Sequence, residues 1–212
     1  MSSVTRRGMF HPVLIVGSPL ALGVLEIFHP HPHDLLALDV SRWLTVHYLQ
    51  IPLFPLAALS IALLVKGREG ILAALCRVAA FVFAVGYTAF DTAAGVVTGI
   101  LLRAAYASGS PDAWRSPIDA VWKDPVMGGS PDMPAPVLAV LGAIALSVAT
   151  VTAAGSCKRA GGSWPPAILL AASGFGISIF KTHAWPGGPL TFGGIAVAAA
   201  WLVAERKGGT AP

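Results

Sequence analysis

Six long apolar blocks, each separated from the next by a short polar stretch, constrain this chain more than any motif in it. They run at about Phe10 to Phe28, Trp43 to Val65, Val78 to Leu102, Pro136 to Gly155, Pro166 to Phe180 and Pro189 to Ala204. A bilayer core asks for about 20 consecutive, mostly apolar residues per helix. Only 11% of the residues are charged, where a soluble domain carries about a quarter, so there are too few charges to coat a water-facing globule. The expected fold is all-α: one transmembrane domain over residues 1–212, a polytopic helix bundle of about six transmembrane helices. The last two blocks are short for a span, and Pro165 and Pro166 stand where proline is tolerated, in the first helical turn. The pair Arg6–Arg7 precedes the first block like an export signal, but no small-x-small cleavage pattern follows. That block is read as a retained helix.

Basic residues set the orientation. With six spans, Arg6, Arg7, Lys66, Arg68, Arg77, Lys158, Arg159, Arg206 and Lys207 fall on one side and Arg42, Arg103, Arg115, Lys123 and Lys181 on the other. The nine-residue side is expected to be cytoplasmic with both termini, in a multi-pass protein of the cell inner (plasma) membrane. The lipid bilayer is then the main partner, and other membrane subunits or a homo-oligomer are further ones. The formal charge of +4 does not point to nucleic acid, because no basic patch interleaved with aromatics exists. Cys76 and Cys157 are the only cysteines, without metal-type spacing, and are expected to stay reduced near the cytoplasmic ends of their helices.

The outer loop, residues 103–135, carries a helix-start pattern at Ser116, Pro117 and Asp119. Ile118, Val121 and Trp122 would share one face, which predicts a short interfacial helix anchored by Trp114 and Trp122.

Ionisable groups inside a span are costly, so each is a functional candidate. Glu26 lies near the outer end of the first helix, and His47 and Gln50 lie one to two turns inside the outer end of the second. Asp91 follows Arg77 by a length of helix worth ~21 Å, past the midplane, and His183 follows the fifth block in KTHAWPGGP. Tyr87, Asp91, Gly95 and Gly99 recur at spacing four, a slowly drifting stripe ending in a GxxxG pattern suited to close helix contact. Pro52 and Pro55 release the carbonyls of Tyr48 and Ile51 and predict a discontinuity in the second helix beside His47. The expected buried polar cluster is Glu26, His47, Gln50, Tyr87, Asp91 and His183. Its bland alternative is polar glue between helices. A second candidate site is the run His29-Pro30-His31-Pro32-His33-Asp34, where His29, His31, His33 and Asp34 are competent to hold Zn²⁺ or Cu²⁺ if the rings converge.

Three functions compete. The first is a metal- or haem-binding membrane protein with ligands among His29, His31, His33, His47 and His183, the cofactor being haem, copper or zinc; a bis-histidine haem between His47 and His183 is one form. The second is a small proton-coupled transporter or permease using Asp91 and Glu26. The third is a non-catalytic subunit of a larger membrane complex. Glu26, His47 and Asp91 also include an acid and a base for an enzyme acting on a lipid-soluble substrate, although no spacing identifies a reaction.

Overall fold

The computed structural model describes residues 3–30 and 34–208, with side chains from residue 12 to 206 within those limits. All regular elements among them are helical. Helix α1 spans Ser3–Ile27, α2 Val40–Leu64 and α3 Ile71–Asp91. A π-helical stretch, Thr92–Val97, carries α3 directly into α4, Thr98–Ala107. Then come α5 (Arg115–Trp122), α6 (Val137–Arg159), α7 (Trp164–Ser173), α8 (Gly176–Phe180) and α9 (Gly187–Gly208).

Four helical segments are long and apolar enough to cross a membrane: Val40–Leu64, Ile71–Ala107, Val137–Arg159 and Gly187–Arg206. Pro12–Ile27 and Trp164–Phe180 are apolar but shorter. Neighbour contacts close a ring, α1 on α2, α2 on α3, α3 on α6, α6 on α7, α7 on α9 and α9 back on α1. Phe54, Phe83, Tyr87 and Phe192 stack at the centre of that ring, with centroids 5.0 to 6.3 Å apart. Leu22, Ile61, Leu146, Leu170 and Ile195 complete the core. Large apolar side chains such as Val13, Ile71, Phe81 and Ile179 point outward instead, a pattern compatible with a membrane protein.

The third segment is much longer than the block Val78–Leu102. Arg77 looks like a boundary in sequence, yet its guanidinium folds back to donate to the carbonyls of Val65 and Arg68 (3.1 and 2.7 Å), so the helix continues on its N-terminal side. The second helix runs through Pro52 and Pro55 as one element. The irregular backbone expected there lies instead immediately after Asp91, where a π turn often marks a functional position.

The fifth block is divided at Gly174 and Phe175 between α7 and α8. Ser147 donates to the Gly174 carbonyl (2.8 Å), and the amide of Ile177 donates to Thr191 Oγ1 (3.0 Å). Neighbouring hydroxyls thus satisfy buried backbone groups that the break exposes.

Helix α5 forms where expected, but its apolar face is turned onto the protein. Ile118 is buried against Leu102 and Ala105, and the Trp122 ring stands 6.0 Å from that of Trp43. Trp114 likewise packs against that cluster. Both cysteines are free and buried, with their thiols facing the carbonyls of Ile61 and Leu64 near the end of α2.

Candidate metal centre

Four segments that are distant in sequence meet at one point. His29 lies just past the end of α1, where Arg42 clamps the chain by donating from Nε and Nη2 to the Phe28 carbonyl (3.2 and 2.9 Å). His47 lies two turns into α2, started by the Asp39 cap on the amide of Arg42. Asp91 ends α3. His183 enters from the loop after α8, where Lys181 takes a left-handed conformation that turns the chain back inward.

The donor atoms form a closed circuit. His29 Nε2 is 3.3 Å from His47 Nε2, His47 Nε2 is 3.8 Å from Asp91 Oδ1, Asp91 Oδ1 is 3.5 Å from His183 Nε2, and His183 Nε2 returns to His29 Nε2 at 3.2 Å. One ring nitrogen from each histidine lies within 4.8 Å of the others, a grouping that could hold a metal ion. Asp91 is 1% exposed and His47 2%.

Tautomers sharpen this geometry. A carbonyl oxygen can only accept, so His29 Nδ1 donates to the Pro30 carbonyl (2.8 Å) and His47 Nδ1 donates to that of Trp43 (2.7 Å). In neutral rings the proton is then on Nδ1, and both Nε2 atoms present lone pairs. Both Nε2 atoms are then acceptors, and His183 Nε2 at 3.2 Å from that of His29 can supply one donor. The pair could also serve as two ligands of one cation, since the outer Nδ1–H···O=C bond is the usual support of a metal-bound histidine. Neither Asp91 carboxylate oxygen has a hydrogen bond from the described residues.

Small residues let these parts approach. A Cβ on Gly95 would fall 1.7 Å from His47 Cδ2, and one on Gly99 would fall 2.6 Å from Leu44 Cδ2. The indole of Trp43 donates to the Gly95 carbonyl (2.7 Å) and lies against His47, centroids 4.2 Å apart. Phe54, Tyr87 and Phe90 wall His183 at centroid distances of 6.1, 5.6 and 5.9 Å.

Beside the circuit, Gln50 Nε2 donates to Glu26 Oε1 (2.8 Å). The structure therefore brings His47, Asp91 and His183 together, with Tyr87 as a ring against His183, and sets Glu26 and Gln50 as a separate pair. Of the described residues of the histidine loop, His29 joins them and Asp34 does not. His31 and His33 lie outside the described residues, while Asp34 is exposed, caps Leu36 (3.0 Å) and stands 3.8 Å from Arg115. The sequence reading missed Trp43, one helical turn before His47, and Gly188, which closes the His183 loop.

Comparisons with protein families, with characterised proteins and with solved structures find no match.

Proposed function

We propose that this chain is a multi-pass membrane protein whose helix bundle holds one divalent transition-metal ion on His29, His47, His183 and Asp91. The circuit of four donors carries this reading. Two nitrogens bound to a tetrahedral ion at about 2.0–2.1 Å stand about 3.3–3.4 Å apart. The His29–His47 and His29–His183 nitrogen pairs stand at 3.3 and 3.2 Å, all three nitrogens lie within 4.8 Å of one another, and the carboxylate edges are 3.5 and 3.8 Å, so a bound ion would draw the wider edges in. Three imidazoles and a carboxylate suit zinc best, with copper and iron as the other imidazole-binding ions. Metal analysis of protein purified without a histidine tag should find about one equivalent. Protein that neither retains zinc nor takes it up after exposure to excess zinc and dialysis would overturn the assignment.

The same distances disfavour haem. The His29 ring sits between those of His47 and His183, with centroids 4.8 Å from each, so no slot for a porphyrin separates the two. A transport path is poorly supported as well, because Phe54, Phe83, Phe192 and Leu22, all fully buried, fill the bundle core.

Orientation follows the basic residues: the turn after α2 in the cytoplasm, the segment between α4 and α6 outside. The native thiols are buried, so they give little background. Glu69→Cys should react with a membrane-impermeant maleimide only in permeabilised cells, whereas Ala113→Cys should react in intact ones. The opposite pattern inverts the topology.

A further inference from the structure

The metal centre leaves one group in the buried polar layer unexplained. Glu26 is 0% exposed, as is Gln50. Gln50 satisfies one carboxyl oxygen, but Glu26 Oε2 and Gln50 Oε1 have no partner among the described residues. Leaving a polar group so costs about 1–3 kcal/mol, and more if it is charged. Placement ties this pair to the centre. Gln50 is three residues beyond His47 on α2, and Glu26 is three residues before His29. At Gly188 a Cβ would stand 2.8 Å from Glu26 Cγ and 1.6 Å from the His183 carbonyl oxygen, so the Glu26 stem runs beside the backbone of the third histidine. A second acid, partly unsatisfied and one layer from the donors, is superfluous for a structural ion. It is what an ion that activates water needs, since the water must give up a proton.

We propose that the centre is hydrolytic, that Glu26 accepts the proton from a water bound to the ion, and that the substrate is an ester or amide carbonyl of a lipid-soluble molecule. This rests on the metal reading above. Catalytic zinc keeps one position for water and can expand to five ligands, so water would either displace Asp91, whose oxygen sits furthest from its neighbours, or join the four protein donors. Its proton passes to Glu26, the remaining hydroxide forms a C–O bond to the carbonyl carbon, and the bond from that carbon to the leaving oxygen or nitrogen breaks. Glu26 returns the proton to the leaving group. A carboxylic acid and an alcohol or amine result, with no outside oxidant or reductant. The substrate class follows from the surroundings: His47 lies within one apolar helix long enough to cross a membrane and Asp91 within another, and the rings of Phe54, Tyr87 and Phe90 around His183 make the neighbourhood apolar.

The test uses the full chain in detergent micelles, loaded with zinc, with p-nitrophenyl octanoate and octanoyl p-nitroanilide as probes. Zinc-loaded protein should hydrolyse at least one of them faster than metal-free protein. Glu26→Gln should keep its zinc and its KM while kcat falls about 100-fold or more. Glu26→Asp, which keeps the carboxyl but draws it back by one methylene, should bind zinc and fall between the two. If Glu26→Gln fails to fold, the ranking of Glu26→Asp below the parent decides the matter. Zinc bound without hydrolysis of either probe, or a position 26 variant equal to the parent, overturns the hydrolytic proposal and leaves the metal centre standing. Absence of zinc overturns both.

Discussion

Replacing His47 with alanine should remove the bound metal altogether, with affinity falling by more than about 100-fold, since even an outer partner of a metal ligand is worth about 10–100-fold. His29→Ala and His183→Ala should do the same, because each Nε2 occupies one corner of the circuit. Asp91→Asn should weaken binding less than any of them, since its oxygen sits furthest from its neighbours and an amide oxygen can still coordinate weakly. The decisive contrast is with the histidine loop: His31→Gln and His33→Gln, made together, should leave the stoichiometry at one. Metal analysis of the variants, with helical content followed by circular dichroism, separates lost ligands from lost fold. Metal that disappears with His31 and His33 but survives His47→Ala would move the site to the loop.

The second large effect is expected at Gly95. A methyl there meets the His47 ring at 1.7 Å, and that ring is pinned by the Trp43 carbonyl and by the Trp43 indole, so it cannot simply step aside. Gly95→Ala should destabilise the bundle by about 1–3 kcal/mol, the usual range for overpacking, and should also expel the metal by displacing a ligand. Gly193→Ala provides the control: nothing lies within 4 Å of a Cβ at that position, so it should cost no stability and can gain up to about 1 kcal/mol from alanine's higher helix propensity. Thermal unfolding in detergent, read beside metal content, tests both. A Gly95→Ala protein as stable and as metal-loaded as the parent would mean that α2 does not meet the third segment at this glycine.

Much of the site is legible because the chain's long apolar segments make their polar exceptions conspicuous. In such segments each ionisable residue is a costly exception, and Glu26, His47 and Asp91 stand out on that ground, while His183 stands out by following the fifth apolar block. Partner choice is legible only in part: the sequence places Asp91 beside His47 with His183 closing the cluster, but it does not separate Glu26 and Gln50 from them. That separation depends on how helices rotate about their axes, and spacing within one helix does not encode that. His29 was grouped with its sequence neighbours. It joins His47 and His183 because Arg42 holds the Phe28 carbonyl and brings the end of α1 against α2. Span ends also shifted, as at Arg77, because a long basic side chain can reach back along the helix and leave its own backbone deeper than its charge.

The π turn after Asp91 has a consequence for phase. At 3.6 residues per turn, residues spaced by four advance about 40° at each step, so over Tyr87, Asp91, Gly95 and Gly99 a uniform α-helix would wind the stripe well round its own circumference. The wider turn at Thr92–Val97 rotates less per residue and turns that winding back. It acts as a vernier between two repeats: Asp91 can face the histidines while Gly95 and Gly99 still lie under His47 and Leu44. Deleting any one residue between 92 and 97 would restore a regular helix and put the carboxylate and the glycines out of step with each other, although every donor would remain in the chain.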